Sequence, residues 1–449
     1  MKTALKRILF IGLVLALPMV AHAMKGDVNN DGEVNISDVN AVISIILNGG
    51  TDSAGDVNND GEVNISDVNA VISIILNGPS QDDITPKEIA LDFSALDEGT
   101  ETIQEDEDAE DYGDYVENTM WSTTVNITFD DNTATVTGGN SAIVTTIEGA
   151  HVTVTSASKR VRYIVSGHTT NGSLKFYSER KFQLQLNGVD ITNPTGAAIN
   201  NQCGKSLYLV LNEGTVNTLH DGETYSMTGE EDQKAALFSE GQILVSGKGR
   251  LDIYSVGRHC MASDDYILVR PGCQLYLNST SGHGIKAKDY VHIKGGVINM
   301  EIAADGAKGI NCDSLVYVTG GRTTIINTGT TSIENDNTTT GSAGVKADYN
   351  ITMTGGTLNI KCTGNDAKGI NVAQPFLFKG GELNVVVTGE QTAVAPKGVK
   401  CDNDCTIQGG TFYSCALHGK ALDVDGTLTI ADGYISRNDT DTRLTEIVY

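Results

Sequence analysis

Doubled glycines recur at 295, 320, 355, 380 and 409, and the stretches around them align as "GIKAKDYVHIKGGVINMEI", "GINCDSLVYVTGGRTTII", "GVKADYNITMTGGTLNIK", "GINVAQPFLFKGGELNVVV" and "GVKCDNDCTIQGGTFYSC". Each unit holds three short alternating runs of the kind that form strands, closed by Gly or polar turns. The lead apolar residues Met261, Ile285, Ile310, Val345, Ile370, Val399 and Leu422 stand mostly 23 to 29 residues apart, with an Asn- and Thr-rich insertion before Val345. Three strands and three turns per period, with no helical segment between, describe one coil of a parallel β-helix. A propeller blade needs about 40 to 45 residues and a leucine-rich repeat needs its own Leu/Asn frame, so both are excluded. The glycine pairs are read as corners where φ turns positive or backbones crowd. Residues 121–449 are therefore expected to be an all-β solenoid whose inward Ile, Val, Ala and Cys stack as its core. Cys312, Cys362, Cys401 and Cys405 fall on strand positions and are read as small buried hydrophobes without disulfides.

Stacking turns each repeat position into a row on the outside of the solenoid. Two residues before the leads stand His259, His283, Lys308, Ala343, Lys368, Lys397 and Lys420. Three or four residues after them stand Asp264, Asp289, Asp313, Asp348, Asp402 and Asp425, with Tyr266, Tyr290 and Tyr349 beside that row. Two readings follow. In one, these are solvated turn residues in mutual ion pairs that do little. In the other, Asp264, Asp289 and Asp313 hold calcium between coils, Lys286, Lys308, Lys346 and Lys368 face an acidic sugar, and Tyr266, Tyr290 and Tyr349 stack on its rings.

The N-terminal part follows different rules. Residues 1–23 read as a signal peptide: Lys2, Lys6 and Arg7, an apolar run from Ile8 to Val20, then Ala21-His22-Ala23. No later stretch reaches the ~18 apolar residues of a spanning helix, so a secreted, extracellular or cell-surface protein without membrane insertion is expected. A net charge of −26 repels phosphates and anionic lipid, which sets nucleic acid aside as a partner. Over residues 24–78, the segment "GDVNNDGEVNISDVNAVISIILNG" occurs at 26–49 and again unchanged at 55–78. Oxygen-bearing residues fall at loop positions 1, 3, 5, 9 and 12 as Asp27, Asn29, Asp31, Asn35 and Asp38, with Gly32 at position 6 and the carbonyl of Glu33 at position 7. The second copy repeats this with Asp56, Asn58, Asp60, Glu62, Asn64 and Asp67. This is the spacing of a Ca²⁺ loop. The helix after each loop carries Val39, Val42, Ile43, Ile46 and Leu47 as one apolar face, which two copies bury against each other with calcium supplying folding energy.

These two loop–helix units resemble the type I dockerin. The resemblance implies calcium binding and a cohesin module as partner, although the basic pair common in clostridial helices is replaced here by Ile43-Ser44 and Ile72-Ser73. Residues 79–120 follow, with acids crowded at Glu105, Asp106, Glu107, Asp108, Glu110 and Asp111. They read as an extended, solvated acidic linker. The phrases "LQLNGVDITNPTGAAIN", "LVLNEGTVNTLHDGETY", "KAALFSEGQILVSGKGRLDI" and "GHGIKAKDYVHIKGG" make residues 121–436 similar to the calcium-binding right-handed β-helix carbohydrate-binding proteins of cellulose-degrading bacteria. That family is shaped like pectate lyases and is associated with cellulose and polygalacturonate. It usually has Asp before the Gly-Ile of each coil, where this chain has His283, Lys308 and Lys368. Three functions stay open: non-catalytic binding of a plant cell wall or other acidic polysaccharide, a calcium-dependent polysaccharide lyase using Lys286 or Lys308 as base, and a surface adhesin or stalk without a glycan ligand.

Overall fold

The computed structural model describes residues 25–449 apart from 32, 50–52, 59, 78–83, 227–228, 230, 334–338, 432–433, 438–442 and 449. The expected signal peptide at 1–23 and Gly32 lie outside the described residues. The chain divides into two compact units, Met1–Thr85 and Pro86–Tyr449.

In the first unit, α1 (Ile36–Leu47) and α2 (Ile65–Asn77) each follow one loop. Val39 and Val42 of the first copy and Val68 and Val71 of the second form its buried core, with Val28 and Val57. The packing is reciprocal. A Cβ on Gly26 would lie 3.0 Å from Ile74, and one on Gly55 would lie 3.0 Å from Ile45, so each loop leans on the other copy's helix. The expected apolar face is narrower than the sequence suggested: Leu47 is 80% exposed and Ile43 36%. A helix with one partner helix buries only one stripe, and the remaining apolar residues face outward. Asn35 caps α1 by accepting from the Ser37 amide at 2.7 Å. Asp38 is fully buried and accepts from the amides of Val28 (2.8 Å), Asn29 (3.1 Å) and Asn35 (2.9 Å), which ties the loop to the helix start.

The second unit is a parallel β-helix. One face is a twelve-stranded sheet in which the expected leads form one register row: Met261 pairs with Ile285, then Ile310, Val345, Ile370, Val399 and Leu422 follow. All seven are fully buried. The other two faces merge into one larger sheet because the strand Phe182–Thr192 pairs with Leu207–Leu211 along its first half and with Val216–His220 along its second. Antiparallel strands close both ends: Thr133–Gly138 covers Thr123–Asp130, and Leu444–Val448 lies on Thr411–Ala416. Such caps keep open edges from pairing with other chains.

Glycine has two separate uses. The second residue of each doubled glycine sits at positive φ, from 74° at Gly356 to 89° at Gly381, so the pairs mark corners as expected. A second row stands just before the leads. At Gly369 a Cβ would fall 2.1 Å from Val385 and 2.6 Å from the Gly398 carbonyl, with the same crowding at Gly309 against Ile325 and Gly344 against Ile360. Here the missing side chain makes room for the core of its own coil. All eight cysteines are buried, and none is in a disulfide.

The linker reading needs correction from residue 86 onward. Residues 86–119 form an extended strap that runs back along the solenoid, from Lys87 beside Tyr413 (3.0 Å) to Gly113, whose carbonyl accepts from Tyr208 Oη (2.5 Å). Its acids meet solenoid cations: Glu88 with Lys361 (3.2 Å), Asp92 with Arg322 (3.2 Å), Glu101 and Glu117 with Arg270 (2.9 Å each), and Asp111 with Lys294 (3.3 Å). The Glu98 carboxylate accepts from the amides of Gly272 and Gly296, both at 2.8 Å. Mutual repulsion that would hold an isolated acidic segment open is offset by these cations, and Tyr115 and Val116 are buried as a result. Glu105 to Asp108 remain exposed.

Two outcomes are expected. Gly369→Ala should lower the unfolding free energy of the β-helix by about 2–3 kcal/mol through overpacking, with part of the loss recovered in Gly369→Ala/Val385→Ala; denaturant titration measures both. Asp38→Ala should cost the first unit more than Asn35→Ala even in chelator, because three backbone amides lose their acceptor. Helical ellipticity followed on heating the full chain reads that difference.

Candidate functional site

The outer side of the twelve-stranded face carries two rows flanking the leads. In register after the leads come Ala262, Lys286, Asn311, Lys346, Asn371, Lys400 and Asp423. In register two residues before the leads, Lys308 is followed by Ala343, Lys368, Lys397 and Lys420. The coils led by Ile285, Ile310, Val345 and Ile370 therefore each present one lysine, alternately on the two sides of the lead row: Lys286, Lys308, Lys346, Lys368. Neighbouring coils are about 4.8 Å apart, and the alternation spreads the like charges that a single column would stack.

The four lysines differ in what they touch. Lys286 pairs with Asp313, and Lys346 with Asp348 at 2.5 Å. Further along, Lys400 meets Asp425 (2.7 Å) and Asp402 (3.2 Å), and Lys397 meets Asp423 (3.0 Å). For those acids the reading as mutual ion pairs holds. Lys308 and Lys368 have no carboxylate within ion-pair distance among the described residues. Lys308 is 7% exposed and donates to the Gly306 carbonyl at 2.7 Å. Burial, with the charges of Lys346 and Lys286, pulls its pKa down to about 8. Burial also lowers Lys368, against the pull of Asp402.

Upstream, the row before the leads changes to imidazoles. His259 and His283 stack at 4.4 Å and 4°. His259 Nδ1 accepts from the His283 amide (2.9 Å), and His283 Nδ1 accepts from the Lys308 amide (3.1 Å). Both rings are therefore neutral with the proton on Nε2. Burial and the nearby lysine charges push His259 down to about 4, and burial with His259 takes His283 well below its usual value.

The acids expected to hold calcium on the β-helix are not brought together. Both oxygens of Asp264 accept from Lys234 at 2.6 Å, and Asp313 is taken by Lys286. Asp289 is one place out of their row: its amide donates to the Asp265 carbonyl (3.0 Å), and Lys288 follows Ala287 at the level of Asp264 and Asp313. Burial, then the Asp289 charge, raises the Asp265 carboxyl. Among the described residues no three His, Cys, Asp or Glu side chains cluster as a metal site. The tyrosines also separate. Tyr266 and Tyr290 stack on each other at 4.2 Å, with Tyr266 Oη donating to Asp114 of the strap at 2.7 Å. They serve the strap contact. Tyr349 is 55% exposed and one residue off their column, because Leu315 pairs with Tyr290 and Asn350 comes next. Lys400 is the member that sequence reasoning missed; the repeated Gly-apolar-Lys triplet shared with Lys286 and Lys346 carries its signal.

The duplicated loops keep their donors close. Asp27 Oδ1 (3.0 Å) and Asn29 Oδ1 (2.8 Å) converge on the Asp31 amide, and Asp31 Oδ1 accepts from the Glu33 amide (3.0 Å). Asp56, Asn58 and Asp60 repeat this on Asp60 and Glu62. Each loop is thus a ring of hard oxygen acceptors, with Asn30 at positive φ (58°) in the first turn. That donor set fits Ca²⁺. The oxygens of Asp38 and Asp67 already accept three amides each, which leaves a carboxylate one further lone-pair direction for an ion.

Residues 25–76 match the dockerin type I domain. No curated protein matches the chain. A solved structure described as the polysaccharide lyase-like protein from C. thermocellum, in a gadolinium derivative, aligns with a TM-score of 0.39 and 20% identity, covering 69% of this chain and 98% of that one. Residues 148–442 match the carbohydrate-binding domain-containing protein family, and with that match over most of its length the chain belongs to that family.

Proposed function

We propose that this is a secreted, non-catalytic protein that binds an acidic polysaccharide of the plant cell wall, such as polygalacturonate, along the lysine-bearing face of the β-helix. The dockerin unit, loaded with calcium, is its anchor to a cohesin. The observation that carries the reading is Lys368, half-buried in the row before the leads, and in register with it the nearly buried Lys308, two cations given no carboxylate of their own. A strip with one lysine per coil offers a polymer many weak contacts rather than one reactive centre. Lys286 and Lys346 take part by exchanging Asp313 and Asp348 for carboxylates of the ligand. Tyr349, exposed on the adjacent turn, supplies a ring face. No helix among the described residues is long and apolar enough to cross a membrane.

The double variant Lys308→Met/Lys368→Met should weaken binding of long polygalacturonate about five- to thirtyfold, on the order of 1–2 kcal/mol for two partly screened charges, without lowering the melting temperature. Wild-type affinity should fall as pH rises through about 8, where Lys308 gives up its proton. The direction follows from charge: the anion binds the protonated lysine, so deprotonation removes attraction. Unchanged affinity in the variant and across that pH range would move the binding surface elsewhere.

One observation favours a second reading, a lyase. A lysine with a pKa near 8 is suited to take the C5 proton of a uronate. Incubation of polygalacturonate with the protein and calcium at pH 9 should give no sustained rise in ultraviolet absorbance from unsaturated uronides. A rise abolished by Lys308→Met would place the lyase first.

A further inference from the structure

Near the first coils of the solenoid, three successive turns carry cations: Lys159 and Arg160, Arg180 and Lys181, then Lys205. Arg162 pairs with Gln183 and Phe182 with Leu207, so these turns lie on adjacent coils, about 4.8 Å apart. The chain has 57 acids against 31 lysines and arginines, and most solenoid cations described above are answered by a carboxylate. None of these five has one among the described residues. Like charges stacked so closely repel.

Lys159, Arg160, Arg180 and Lys181 line a cavity of about 330 Å³ together with Met120 and Trp121. Its aromatic wall is fixed: Trp121 Nε1 donates to the Val116 carbonyl (3.1 Å), the indole meets Tyr208 edge-on at 5.5 Å, and Lys181 Nζ donates to Tyr208 Oη at 3.2 Å. Lys181, Arg180 and Lys205 continue into an adjoining cavity of about 240 Å³, which Glu179, Ser206 and Gln242 also line. The one acid there makes no ion pair with them among the described residues, and the larger cavity is acid-free.

We propose that the larger cavity is a second anion site, separate from the lysine strip, which holds one or two units of an acidic saccharide by their carboxylates against the Trp121 wall. Arginine forks match carboxylate geometry in pairs of hydrogen bonds. The cavity is at the lower end of the size range for small-ligand sites, which suits a short oligosaccharide or a chain end rather than the run of a polymer. A ligand here neutralises the stack and uses cations that no protein acid uses. The inference stands whether or not the lysine strip binds glycan.

The protein has a single tryptophan, and it lines this cavity, so its fluorescence reports on this site. Trigalacturonate titrated into the full-length protein should change the fluorescence saturably, and calorimetry should give one site per chain. Arg160→Asn/Arg180→Gln should weaken that binding at least tenfold. Asn is chosen because Arg160 sits at φ 60° and its carbonyl accepts from the Ser122 and Thr123 amides, a conformation that Asn tolerates. Lys308→Met/Lys368→Met should leave the signal unchanged. An equal response to neutral maltotriose or to sulfate at the same concentration would overturn recognition of an acidic sugar. Absence of trigalacturonate binding by calorimetry, or binding untouched by the arginine variant, would overturn the site itself.

Discussion

Everything in the β-helix depends on backbone hydrogen bonding from coil to coil in fixed parallel register. A residue's position within its coil decides whether it joins the core, a corner or an outer row, and every later coil repeats the decision at about 4.8 Å. The benefit is a continuous apolar interior built from modest side chains. The cost is that any unfavourable feature is repeated too. Before the leads of the middle coils a Cβ would strike the core, and glycine at 309, 344 and 369 removes it. Outside, a lysine in every coil of one column would repel its neighbours. From the coil of Ile285 to that of Ile370 the chain places Asn311 between Lys286 and Lys346 and moves the intervening charges, Lys308 and Lys368, across the lead row; Lys397 and Lys420, which do stack on Lys368, share Asp423 instead.

The strap shows how a chain with a net charge of −26 folds compactly. Its acids spread over Arg322, Lys361, Lys294 and Arg270, so that repulsion within residues 86–119 becomes attraction to the solenoid. The arginine is the anchor. Its side chain is 4% exposed and held by two carboxylates, an arrangement in which losing one partner leaves a buried charge poorly compensated.

How much of this was legible follows from which interactions are local. The leads, the corner glycines and the buried cysteines are set by the repeat itself, and the sequence shows the repeat. Position within a turn is less visible: Asp289 reads as a neighbour of Asp264 and Asp313, yet a one-residue offset sets it beside Asp265. Tyr266 and Tyr290 fail as ring platforms for a different reason. They are in register as expected, but Asp114, 152 positions before Tyr266, reaches the pair through Tyr266 Oη. The linker reading treated acidic residues without the cations that answer them, and those cations lie scattered at corners up to 273 positions away, as Lys361 does from Glu88. Ile43 and Leu47 carry helical spacing in sequence, but a partner that covers only one stripe is invisible there.

The central claim is that stacking register converts single lysines into a strip for a polymer. Dissociation constants of the full-length protein for galacturonate oligomers of increasing length measure it directly. If the strip binds, affinity should keep rising as oligomers grow long enough to span the coils of Lys286, Lys308, Lys346 and Lys368, and the steepness should fall with added salt. Affinity that levels off at two or three sugars would contradict the account.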